Sequence, residues 1–232
     1  MKTKLFNTLA AVTTLAGIAT TSGVANAASL SYTSSLDYKL TNIVDAPLSI
    51  QQFNSSLGTL KGVTIGFTGD ILGNAGFENT GDTSSPVTVN LASQLALKLN
   101  NQSLFALNPQ NSFSYEVGQF DNSIDFGGTS GKTVSGLTAT KSGTQSFTDT
   151  QLLQSFIGNS DIDFLFSATA NSVVSGSGNI AAYVQTLAKA DIKVTYDYDD
   201  VKSIPEPSAT LGVGLIAGLC LLSQRKKSWI KE

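Results

Sequence analysis

The sequence contains no histidine, and only one cysteine, one methionine and one tryptophan among 232 residues. Without histidine, no Ser-His-Asp or Cys-His relay can be assembled from this chain. The usual zinc donors are missing for the same reason, because Cys220 is the sole thiol. One cysteine also excludes a disulfide within the chain. Folding must therefore rest on a buried core, which a chain of this length can supply. Charge is scarce too. Asp, Glu, Lys and Arg make up 13% of residues, against roughly 25% in an average soluble protein. The only arginine is Arg225. Between Ala28 and Ile204, 8 lysines face 15 acidic residues, a balance of −7. Such a segment, with no Lys/Arg cluster, argues against nucleic acid and anionic lipid as partners.

What is present is a 41% hydrophobic fraction and a polar remainder rich in Ser, Thr, Asn, Gln and Gly. That mix suits strands and turns. From Ala28 to Asp200 the apolar residues alternate. Val63, Ile65 and Phe67 share one face, as do Val87, Val89 and Leu91, then Leu95, Leu97 and Leu99. Phe113, Tyr115 and Val117 form another set, followed by Ile162, Phe164, Phe166 and Ala168, and finally Ile192, Val194, Tyr196 and Tyr198. A period of two with Ser, Thr and Lys between marks half-buried antiparallel strands. Gly-Asn, Thr-Gly-Asp, Asn-Pro, Gly-Gly and Ser-Gly-Ser-Gly-Asn separate the runs and read as turns. The expected fold is all-β, an antiparallel β-sandwich with one short helix. That helix is expected in "TDTQLLQSFIGN", with Asp149 as N-cap, Gly158 as stop, and Leu152, Leu153, Phe156 and Ile157 on one face.

Both ends read as processing segments. At the N-terminus, Lys2 and Lys4 precede an apolar, small-residue run and Ala25-Asn26-Ala27. This is the layout of a secretory signal peptide, residues 1–27, cleaved after Ala27, with Ala25 and Ala27 as the small residues read by signal peptidase. At the C-terminus, Pro205-Glu206-Pro207 interrupts helix and leaves an extended strip. Residues 208–223 carry no charge. As a helix they span roughly 24 Å, short of the roughly 30 Å hydrocarbon core. Arg225, Lys226 and Lys227 follow at once; as a cytoplasmic basic cluster they can snorkel and fix an outside-to-inside transmembrane helix.

The order Pro205-Glu206-Pro207, apolar run, Arg225-Lys226-Lys227, behind a signal peptide, resembles a PEP-CTERM sorting signal. The resemblance implies export across the inner membrane of a Gram-negative or cyanobacterial cell. It further implies recognition by an exosortase, tail removal near the motif, and an exopolysaccharide setting at the cell surface or in the extracellular matrix. The body, residues 28–202, also resembles a choice-of-anchor E domain. "QFNSSLGTLKGVTIGFTGD" (52–70), "FIGNSDIDFLFSATANSVVSGSGN" (156–179) and "ADIKVTYDYDD" (190–200) carry that likeness. It brings no activity, ligand or catalytic residue with it. Residues 203–232 are then the sorting segment.

Chemistry within the body finds little footing. Gly131-Lys132-Thr133 ends like a phosphate-binding loop, but Phe126 occupies the position of its first glycine. A hairpin loop is expected there. Glu78 and Glu116 are the body's only glutamates, and nothing in the sequence sets either opposite an aspartate for glycoside hydrolysis. Calcium needs oxygen ligands alone, and Asp121/Asp125, Asp161/Asp163 and Asp197/Asp199/Asp200 are short acidic clusters. None has EF-hand or RTX spacing, so solvated strand and turn positions are the simpler reading. No catalytic, cofactor-binding or metal-ligating residue is assigned. The expected function is a non-enzymatic exported surface or matrix protein. The alternative is a polysaccharide-binding module that calcium could steady. Tyr196 and Tyr198 share a strand face and offer a small aromatic strip for that purpose, or else belong to the core beside Ile192 and Val194.

Overall fold

The computed structural model describes residues 27–201. The signal helix, Ala25, the Pro-Glu-Pro motif, the apolar tail and Arg225–Lys227 lie outside the described residues. Within them, strands dominate: β1 (Ala27–Leu40), β2 (Ile43–Gln51), β3 (Gly58–Asn79), β4 (Ser85–Leu99), β5 (Gln102–Leu107), β6 (Gln110–Val117), β7 (Gly131–Phe147), β8 (Asp161–Ala170), β9 (Val173–Gly176) and β10 (Ile180–Asp200), with α1 (Thr150–Gln154) between β7 and β8. All named strand pairs are antiparallel. One sheet has the order β1-β10-β3-β7 and the other β2-β8-β4-β5, with β6 and β9 pairing the remainder of β4. The arrangement is sandwich-like, as the alternation implies.

The inward phase is the one the sequence marks. Val63, Ile65, Phe67, Phe164, Phe166, Val194 and Tyr196 are fully buried. Aromatic rings join the two sheets. Phe67 of β3 lies 5.6 Å from Phe105 of β5 and 6.1 Å from Phe166 of β8, and Phe77 lies 5.3 Å from Tyr115 of β6. Such contacts add to area burial by about 0.5–1.5 kcal/mol each. Tyr196 and Tyr198 belong to this core, not to the surface. Tyr196 packs edge-on to Tyr32, Phe53 and Phe156, and its hydroxyl donates to the Gln51 carbonyl at 2.9 Å. Burial raises the Tyr196 phenol well above its ordinary value, with the Tyr32 phenol adding to it.

Three sequence expectations are revised. The runs Val87–Leu91 and Leu95–Leu99 form one 15-residue strand, β4, which crosses from β6 and β9 to β5 and β8. Thr80-Gly81-Asp82 lies in the connection between β3 and β4 as expected, but Gly73-Asn74 and the earlier Thr68-Gly69-Asp70 are not turns; they are the middle of β3. There the glycines face inward, and a Cβ on Gly69 or Gly73 would come within 2.2 Å of Leu95 or 2.5 Å of Leu91. They are small to let the sheets close, a packing role that composition alone disguises as turn chemistry. Finally, Asp149 caps α1 as expected, accepting from the Gln151 and Leu152 amides. The helix ends at Gln154, however, one turn before Gly158. Leu153 and Phe156 are buried, and Leu152 and Ile157 pack partly against the core.

Candidate functional site: the outer face of the four-stranded sheet

The residues that alternate with the core positions cover the outer face of the sheet β1-β10-β3-β7. In register, Ser31, Thr195, Thr64 and Ser146 form one row across all four strands. Ser35, Asp191, Thr68 and Ser142 form another. Hydroxyls pair along these rows: Ser31 with Thr195 at 2.8 Å, Thr64 with Ser146 at 2.9 Å and Thr68 with Ser142 at 2.9 Å. A hydroxyl has one donor and two acceptor sites. Each pair uses one donor internally and leaves the second, with acceptors, free to face outward. Between these rows Gly66 carries no side chain. A trough of about 360 Å³ opens over it, bordered by Thr33, Ser35, Thr68, Asp191 and Lys193.

Next along the same face is a charged cluster. Lys189 contacts Asp191 at 2.8 Å. The two are two residues apart on one strand, hence on one face. Lys189 also pairs in register with Asp70, whose carboxylate accepts from the Thr140 hydroxyl at 2.5 Å. The Asp191 hydrogen bond raises the Lys189 ammonium against the opposing effect of burial. Tyr38 stands over this group, 40% exposed. Its phenol is raised first by burial, then by the Asp70 carboxylate, with Lys189 opposing and Asp191 adding. A register shift in β1 between Leu36 and Lys39 coincides with its departure from the strict alternation.

Further along, Leu40, Leu187 and Leu72 lie in one cross-strand row. Beyond it is Tyr183, 46% exposed. Its ring covers Gly76, where a Cβ would approach to 2.3 Å. Phe126 meets that ring edge-on, with centroids 5.0 Å apart and an interplanar angle of 89°.

Phe126 belongs to the segment between β6 and β7, whereas Gly131-Lys132-Thr133 opens β7 itself. The segment is not a hairpin loop. β6 pairs with β4 and β7 with β3, so it passes between sheets. It is anchored from below by Glu78, a fully buried carboxylate that accepts from the Ser130 hydroxyl at 2.5 Å. The Ser130 hydroxyl in turn accepts from the Asp121 amide at 3.2 Å. Asp121 accepts from the Ser123 and Thr129 amides, and these bonds, Ser123 first, hold its carboxyl below the usual range. Asp125 accepts from the Gly127 amide at 2.9 Å. The acids here shape a loop that holds Phe126 against Tyr183.

The other residues singled out in the sequence are dispersed. Ala27 is the first residue of β1 and pairs with Asp199. Glu116 is an exposed residue of β6, apart from buried Glu78. Asp163 accepts from Ser49 at 2.6 Å, and Asp199 contacts Lys61 at 3.0 Å. Among the described residues no three Asp or Glu side chains gather as a metal site, and no helix is long and apolar enough to cross a membrane. Of the six tyrosines of the body, the sequence singles out Tyr196 and Tyr198, whereas Tyr38 and Tyr183 are the ones on this face. Strand parity was the available signal for Tyr183. It is thirteen residues from Tyr196 on one strand, an odd separation, so the two rings must point to opposite faces.

No family model and no curated protein matches the chain. Among solved structures it is similar to a chain in the structure of infectious bursal disease virus Gt strain, at 10% identity and a TM-score of 0.12, covering 88% of this chain and 49% of that one. For the Gx strain the values are 11%, 0.09, 90% and 51%. The chain spans about half the length of the solved chains it matches. Backbone overlap at that level establishes neither fold nor function.

Proposed function

We propose that this chain is an exported, non-enzymatic surface or matrix protein. In this reading, signal peptidase releases the body after Ala27. The C-terminal helix holds it at the inner membrane for a time, and an exosortase acts at Pro205-Glu206-Pro207. The body is then the lasting component, at the cell surface or in an exopolysaccharide matrix. One observation carries the reading. The first and last strands pair with each other, Ala27 opposite Asp199, and the last strand ends at Asp200. Cleavage after Ala27 would remove only the first residue of β1 and keep the pairing from Ala28 opposite Tyr198 onward, and cleavage near Pro205 would fall beyond β10. The test replaces Pro205 and Pro207 with alanine and fractionates the cells. The variant is expected to stay with the inner membrane while the unaltered protein leaves it. Equal release of both would refute sorting through the motif.

Polysaccharide binding by the same body is the second reading. It is favoured by the two exposed tyrosines on a face that also carries rows of hydroxyls, a Lys–Asp cluster and a leucine row.

A further inference from the structure

We infer that the strip from Tyr183 to Tyr38, on the outer face of the four-stranded sheet, binds an uncharged polysaccharide chain lengthwise. The inference rests on the second reading above and assigns it a site. Lys189, the residue beside Tyr38, lies six positions beyond Tyr183 on β10. At 3.2–3.4 Å per residue that is about 20 Å, long enough for several consecutive sugar rings. A sugar ring has a C–H face and a rim of hydroxyls. The strip matches both. Two phenol rings stand at its ends with the Leu40-Leu187-Leu72 row between them. Polar groups flank that apolar line: Asp70, Asp191 and Thr140 at one end and Gln185 and Asn74, paired in register, toward the other. Carboxylates accept from sugar hydroxyls, and each carboxylate has about four acceptor sites, so one internal contact leaves most of them open.

The floor suits a flat ligand. Gly76 lets the Tyr183 ring lie against the backbone, and Phe126 braces its edge. The ring is thus held before any ligand arrives, which limits the ordering cost of binding. Charge selects the polymer. The lysine here is already matched to a carboxylate, and the segment from Ala28 to Ile204 carries a balance of −7. An anionic chain would meet repulsion, whereas an uncharged one would not.

The test is affinity electrophoresis of the exported protein in gels containing hydroxyethylcellulose, dextran or galactomannan, with dextran sulfate as the anionic comparison. At least one uncharged polymer is expected to retard the protein. Tyr38→Ala and Tyr183→Ala should each weaken that retardation about tenfold, and Tyr38→Phe should keep it within about threefold. Thermal melts confirm that each variant is folded. Retardation that persists unchanged in both folded alanine variants would overturn the site while sparing the second reading. No retardation by any uncharged polymer would overturn both. Retardation by dextran sulfate alone would overturn the uncharged class, and dimers abolished by Tyr38→Ala without polymer binding would reassign the strip to self-association.

Discussion

Tyr196 joins the two sheets through one hydroxyl, and replacing it with phenylalanine should reveal two effects with opposite signs. The ring is fully buried and would remain so in Tyr196→Phe. Its hydroxyl donates to the Gln51 carbonyl at 2.9 Å, and losing that bond should destabilise the fold by about 1 kcal/mol near pH 7. Burial raises the phenol in the folded state above its ordinary value of 10.0. The sign follows from linkage. The unfolded chain releases this proton first, so the folded state's advantage is full below pH 10 and is lost as pH rises through the folded value. Above pH 10 the unaltered protein should lose up to about 1.4 kcal/mol per pH unit through this group. Phenylalanine has no such proton. The gap of about 1 kcal/mol should therefore close between about pH 10 and pH 11, and then reverse. Urea unfolding of both proteins from pH 8 to pH 11 reads this directly. Tyr32, also raised by burial and by Tyr198, is common to both, so only its coupling to Tyr196 enters the difference. A gap that stays constant across that range would refute the assignment of a buried, neutral hydroxyl.

Three further outcomes are expected. Gly73→Val forces a branched side chain toward Leu91, where even a Cβ would come within 2.5 Å. It should cost about 1–3 kcal/mol in urea unfolding; an unchanged midpoint would contradict the close sheet approach. Asp149→Ala removes the cap on the Gln151 and Leu152 amides and should cost about 1 kcal/mol, with asparagine restoring most of it. Asp121 has a lowered folded-state value. Its contribution should be present above pH 3.8 and vanish as pH falls through the lower, folded value. Asp121→Asn should accordingly flatten the acid limb of the stability curve, measured by thermal melts from pH 2 to pH 6.

The strands legible in the sequence are those whose inward residues are large and regularly spaced. β8 and β10 show this plainly, because Phe164, Phe166, Ile192 and Val194 alternate with polar residues without interruption. β4 read as two runs because its middle passes through Ala92 and Ser93, and Ser93 is buried despite its hydroxyl. β7 was not legible at all. It is an edge strand with few buried side chains, and its inward spacing slips at Gly136, from Val134 to Leu137. The glycines of β3 misled for a physical reason, since a close contact between sheets and a turn both favour a residue without a side chain. The candidate face was half visible. Its Ser/Thr rows follow from alternation, but the exposure of Tyr38 depends on an irregularity in β1 that composition does not announce. The brace of Phe126 on Tyr183 joins residues from different strands and loops, a relation that only the fold creates.

Intact mass spectrometry of the native exported protein tests the central claim of two processed ends most directly. The mass should correspond to a chain that begins at Ala28 and ends near Pro205-Glu206-Pro207, and cells without the exosortase should instead retain the residues through Glu232. A species that begins elsewhere, or that keeps its C-terminal residues in the presence of the exosortase, would contradict the account.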